Sequence, residues 1–187
     1  MKQHCHQKLI AGRYYHIYNR GINSESIFKE TINYYYFLSL WWKYTDSVAE
    51  TYCYNLLPNH FHFFIRIRDS TDFRQASKAF SNLFNAYAKA VNKKYLRTGS
   101  LFQERFKRKE ISDDSYFTKI ICYIITNASK HGYCNNSLTY EYSAYHELVS
   151  NEPTRLMRDE IFTWFYDKQT FMQVIKIYSG GLRPVRS

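Results

Sequence analysis

Apolar positions change period several times along the chain, and each change marks an element. Residues 14–18, YYHIY, alternate and predict a first strand, closed by the turn-like Asn19-Arg20-Gly21. Residues 30–44, ETINYYYFLSLWWKY, carry rings at helical spacing and predict a first helix. ETYCYNLL at 50–57 alternates again as a second strand; Pro58-Asn59 turns the chain, and HFHFFIRIR at 60–68 is a third strand. Asp72 caps a long second helix over 73–97, with Phe73, Ala76, Phe80, Leu83, Phe84, Tyr87 and Val91 on one stripe and Gly99 at its end. A fourth strand is expected within 100–111, around ERFKRKEI. Asp113-Asp114 open a third helix over 114–130, closed at Gly132. The remainder, 133–187, reads as loop with two short helices near 155–167 and 169–178.

The order βαββαβ followed by a helix predicts an α+β chain on the ferredoxin-like plan, an antiparallel sheet with both core helices on one face. The other face is then left for a partner to cover. Neither repeats nor Gly/Pro-rich linkers interrupt the chain, which reads as one domain over 1–187, with a core at about 12–132 and an extension at about 133–187.

Composition narrows the partners. The chain is 45% hydrophobic and 19% aromatic, which excludes wholesale disorder. No apolar run approaches the roughly 18–20 residues of a membrane span. The polar start MKQHCHQKLIAG does not read as a signal peptide, so a cytoplasmic protein is expected. Four cysteines without CxxC spacing fit a reducing compartment. A formal charge of +10, with 19 tyrosines interleaved, points to a polyanion whose bases stack on rings, hence nucleic acid; an ordinary basic enzyme is the alternative.

In a strand, His60 and His62 share one face and Phe61 and Phe63 the other. The imidazoles then stand about 6–7 Å apart, near enough to share a divalent cation. Two histidines need a third ligand, and the spacing alone is not specific: it recurs at His4-Cys5-His6. A rival reading treats HFHFFIRI as an RNA-recognition-motif strand, with IYN at 17–19 as a faint partner signature. That signature wants glycine where the histidines stand and turns the phenylalanines outward, so it ranks second.

In CYIITNASKHG, 122–132, Tyr123 and Asn127 stand at i and i+4 and share one helix face. An amide oxygen from Asn127 suits a hard cation beside two imidazoles, and Tyr123, one turn earlier, is placed as a nucleophile. The ordinary reading of Tyr123 is a core aromatic; Tyr116, seven residues earlier, has Ile120 rather than a ligand at i+4. Candidate DNA contacts are Arg105, Lys107, Arg108 and Lys109, then Arg66 and Arg68, which share the face of His62 by alternation, and Asn19 and Arg20 in the first turn. A solvated strand edge is the alternative for the basic run, and dipole compensation for Lys130 and His131 at the helix end.

LPNHFHFFI, a basic strand, and YIITN on a helix together resemble the HUH single-strand transposases, specifically the REP-associated tyrosine transposases. YYHIYNRG, GSLFQERFKR (99–108) and SAYHEL (143–148) extend the resemblance in order and spacing over about 12–150. It implies that His60, His62 and Asn127 hold Mg²⁺ or Mn²⁺ and that Tyr123 is the nucleophile. It also implies a reaction on single-stranded DNA at short hairpin-forming repeats with a tetranucleotide beside the hairpin foot. Tyr123 would form a 5′-phosphotyrosine link and free a 3′-OH, and the reverse attack would rejoin strands without ATP, in a monomer or homodimer. Ala128 departs from the proline that many relatives carry after the asparagine, which bears on how the helix ends. An RNA-binding module and a catalytically inactive DNA-repeat binder stay open as alternatives.

Overall fold

The computed structural model describes residues 7–180; the His4-Cys5-His6 repeat lies outside the described residues. Strands β1 (Tyr14–Arg20), β2 (Ala49–Leu57), β3 (His60–Ile67) and β4 (Lys107–Ile111) form one sheet in the order β2-β3-β1-β4, with every pair of neighbours antiparallel. Helices α1 (Thr31–Thr45) and α2 (Phe73–Lys94) cover one face, giving the ferredoxin-like α+β arrangement. Alternation sends Phe61 and Phe63 into this layer. Trp41 stacks on Phe63 at 3.5 Å between ring centroids, and Phe61 lies between Phe37 at 5.0 Å and Phe84 at 5.5 Å. Asp72 caps α2 by accepting from the amides of Arg74 and Gln75, and Gln75 returns a bond to the Asp72 amide. The helix ends at Lys94, three residues before the expected 97, and Leu96 takes the left-handed φ of 49°, which no right-handed helix continues through.

The opposite face is not left for a partner. Tyr14, Tyr52 and Phe64 point there, and such rings do not remain in water when the chain can cover them. Helix α3 (Phe117–Ile125) packs on β2 and β3, and α6 (Arg158–Trp164) brings Trp164 to within 4.9 Å of Tyr52 and 4.8 Å of Phe117. Glu160 accepts hydrogen bonds from the Tyr52 hydroxyl at 2.7 Å and the Tyr14 hydroxyl at 3.1 Å. The segment from Tyr142 to Met157 runs along the outer edge of β2. The Leu56 amide bonds to the Tyr142 carbonyl, the Ala144 amide to Tyr54, and the Met157 amide to Thr51, each at 2.9 Å. Helices α5 (Tyr145–Val149) and α7 (Lys168–Ser179) complete the extension; α5 was not expected, being only five residues long.

The third helix is broken. A 3₁₀ turn at Asp114–Tyr116 leads into α3, Thr126 interrupts it, and a single turn, α4 (Asn127–Lys130), follows. The cause comes from β2. Asn55, fully buried, donates its side-chain amide to the carbonyls of Ile124 at 2.8 Å and Ile125 at 3.1 Å, which a continuous helix would offer to its own amides. The Thr126 hydroxyl also bonds back to the Cys122 carbonyl at 2.7 Å, a bond that competes with the regular ladder.

Candidate active site

The residues of the histidine face meet in rows across the sheet. Asn55, His62, Tyr18 and Lys107 form one row from β2 to β4; Leu57, His60 and Arg20 form the next. His16 on β1 lies between Phe64 and Lys109. Above these rows sit the end of α3 and α4, held down by Asn55.

His60 Nε2 is 3.2 Å from Asn127 Oδ1. The His60 and His62 rings stand 5.2 Å apart and nearly perpendicular. Tyr123, about a third exposed, presents itself edge-on to His62 at 5.6 Å and to His16 at 6.0 Å, with the Lys130 ammonium 5.2 Å from its ring centroid. His60, His62, Asn127 and Tyr123 are thus brought together although the helix that joins Tyr123 to Asn127 is interrupted.

The inner shell has a defined chemistry. Asn59 Oδ1, 2.6 Å from His60 Nδ1, can only accept, so it fixes the proton there and leaves Nε2 bare. The Tyr133 hydroxyl donates to the same oxygen at 3.1 Å. Bare Nε2 therefore faces the Asn127 oxygen, two acceptors at a separation close to the edge between two ligands bound about 2.1 Å from one ion. Asn127 Nδ2 is buried without a hydrogen-bond partner, so the amide is not anchored from behind. Turned over, it would donate to Nε2 instead, so the same side chain suits the ring with or without a cation. Two neutral imidazoles and an amide oxygen fit a divalent ion such as Mn²⁺ or Mg²⁺. Among the described residues, no cluster of three or more His, Cys, Asp or Glu is placed to hold an ion, so a third donor beside the two imidazoles would have to be of another type, as the Asn127 amide oxygen is.

Burial keeps these imidazoles neutral. It lowers His16 to about 3, with Lys109 adding to the effect, and His60 to about 4, with His131 and Arg20 lowering it further and Asn127 opposing. His62 falls well below the usual histidine range through burial and the neighbouring His16, His60 and His131. Neutral rings are the form that ligates.

The basic candidates divide. Arg66 reaches Glu50 at 3.1 Å and Asp69 at 2.8 Å, and Arg68 reaches Glu50 at 3.3 Å and the Asp46 carbonyl at 2.9 Å. Alternation places Arg66 on the histidine face, where its cross-strand neighbour Glu50 pairs with it. Arg20 stands beside His60, and Lys107 and Lys109 occupy the histidine face of β4. Asn19, Arg105 and Arg108 belong to the other side, lining a cleft of about 740 Å³ with Ser77, Ser81 and Asn85 of α2. There Asn19 holds the Glu104 carbonyl at 3.2 Å, and Arg108 lies over the Phe106 ring at 4.9 Å.

Four residues of the site escaped the sequence reading: His16, Asn59, Tyr133 and, in its site role, His131, whose ring is 4.9 Å from His60. Alternation in YYHIY could have set His16 on one face with Tyr14 and Tyr18, but only the register of β1 on β3 brings it to His62.

No protein-family model matches the chain, and no curated protein sequence does. Among solved structures, it is similar to that of a REP-associated tyrosine transposase bound to a REP hairpin, at 20% identity and a TM-score of 0.67, over 82% of this chain and 89% of the other. What the two share is the fold: this chain is built on the architecture of a REP-associated tyrosine transposase.

Proposed function

We propose that the protein is a metal-dependent single-stranded DNA transposase that nicks and rejoins DNA at hairpin repeats through a phosphotyrosine link on Tyr123. The observation that carries this reading is the meeting of His60, His62 and Asn127 under a partly exposed tyrosine that touches one of the two histidines. The shared fold with a transposase bound to a REP hairpin supports it. The RNA-recognition reading loses its basis, because Phe61 and Phe63 are fully buried under the helices and cannot stack on bases.

His60, His62 and Asn127 would hold Mg²⁺ or Mn²⁺, which when bound polarises the scissile phosphate and stabilises the leaving oxygen. The Tyr123 oxygen attacks phosphorus, the bond to the 3′-oxygen breaks, and the phenol proton leaves as the 3′-oxygen gains one. The products are a 5′-phosphotyrosine and a free 3′-OH, and the reverse attack restores a phosphodiester. The Lys130 ammonium lies over the Tyr123 ring, 5.2 Å from its centroid, where it adds positive charge beside the site for an incoming phosphate. Arg20, Lys107 and Lys109 are positioned to take phosphates beside the site, and Arg105, Arg108 and Asn19 to receive DNA in the adjoining cleft.

The test is covalent capture. With a hairpin oligonucleotide and Mn²⁺, label on the 3′ side of the cut should shift to the protein, and a shorter strand ending in 3′-OH should be released. Tyr123→Phe should abolish the adduct, a loss of at least about 10³-fold, while hairpin affinity stays within a few-fold. An adduct that survives in Tyr123→Phe, or that forms fully in excess EDTA, would overturn the assignment.

A further inference from the structure

We infer that His16 is a positioning residue: by accepting a hydrogen bond from His62 Nδ1–H, it holds His62 in the tautomer whose Nε2 lone pair is free for another partner. His16 Nε2 lies 2.8 Å from His62 Nδ1, with the two rings stacked at 5.0 Å and 28° between planes. At that distance two imidazoles share one proton, and its location decides what His62 can do. The His62 nitrogen nearest His16 is occupied, which leaves Nε2 as the ring nitrogen free for another partner, with the His60 ring 5.2 Å away. If His16 donated instead, neutral His62 would carry its proton on Nε2, and the nitrogen aimed into the site would be closed to a cation. His16 must therefore accept, with its own proton on Nδ1.

The surroundings hold His16 in this pose. Its ring stacks on Tyr18 at 4.7 Å and meets the edge of Tyr123 at 6.0 Å, so one side chain braces both a ligand and the nucleophile. Asn59 does the corresponding work for His60, whose Nδ1 it holds at 2.6 Å. Each ligand histidine thus has its own outer partner, an amide on one and an imidazole on the other. Outer partners of this kind change metal affinity by about 10–100-fold when removed.

Both the choice of tautomer and the metal part of this inference rest on the proposed function, and the experiment reads them separately. Nitrogen-15 NMR of the full chain, with the His62 signals assigned by their loss in His62→Gln, reads the tautomer directly. Wild type should show His62 protonated at Nδ1. His16→Phe keeps the stacking ring without an acceptor, and His62 should shift toward Nε2–H. Mn²⁺ affinity should fall about 10–100-fold in His16→Phe. It should return to within a few-fold of wild type in His16→Gln, whose amide oxygen can accept. A wild-type His62 protonated at Nε2 would overturn the role of His16, as would a folded His16→Phe protein with unchanged tautomer and Mn²⁺ affinity. Should His16→Phe not fold, the wild-type tautomer decides alone. The expected tautomer in a protein that takes no Mn²⁺ would support the role of His16 and overturn the metal reading.

Discussion

His60 and His62 are costly residues to bury, and the cost has a pH signature. Their folded-state pKa values, like that of His16, lie below the ordinary 6.5, with His60 at about 4 and His16 at about 3. The unfolded chain therefore binds these protons first as pH falls, and stability is full above about 6.5 and declines toward pH 4. Chelator-treated protein should melt at a lower temperature at pH 5 than at pH 7. The difference should be smaller in His16→Phe, which has lost one of the buried titrating rings. Equal losses in the two proteins would show that His16 is not among the groups responsible. At this scale the sequence is informative about types and poor about neighbours. HxH and the Tyr123/Asn127 spacing are local and could be read directly. The Asn59 and His16 contacts differ in kind: Asn59 adjoins His60 in the chain but looks like a turn residue, and His16 is 46 positions from His62.

Elements followed the hydrophobic pattern wherever their boundaries were set by their own residues. The capped start of α2 and the alternating strand β3 that bears His60 and His62 are examples. The pattern failed at 126, where a residue of β2 decides the outcome. Asn55 reaches across to two carbonyls of α3, and no periodicity within 114–130 could reveal an amide arriving from 70 residues away. Asn55→Ala should remove both bonds and leave two carbonyls without partners, at a cost of about 2–4 kcal/mol measured by urea unfolding. Hydrogen exchange should report the loss first in the amides of residues 122–130. An equal loss spread over α1 and α2 would mean that Asn55 stabilises the whole core rather than this junction.

On the scale of the molecule, the expectation of an open sheet face gave way to a face closed by the chain itself. The ferredoxin-like order was legible because strands and helices alternate cleanly up to β4. In the extension the helices expected near 155–167 and 169–178 are α6 and α7, whereas the five-residue α5 and the packing of the extension on rings from three strands were not legible. Trp164 is the joint, touching Tyr14, Tyr52, Phe64 and Phe117. Trp164→Ala should destabilise the protein by about 2–3 kcal/mol, less than the loss of a fully buried tryptophan because the ring is only partly covered. Thermal melts and proteolysis within 150–180 would measure it, and an unchanged melting temperature would show that the extension merely lies on the sheet.

The bonds from Tyr142, Ala144 and Met157 to β2 have a consequence for how this chain is made. β2 is a nine-residue edge strand, with eight of its residues buried, and few sequences are better templates for pairing with a stranger. Its guard is encoded some 90 residues later. On the ribosome the sheet can assemble well before the guard emerges, so every nascent copy passes through an interval with a sticky margin. Crowded synthesis, a stalled ribosome or a premature stop between β4 and residue 142 would prolong that interval, and the resulting fragments would be drawn to one another along that open margin.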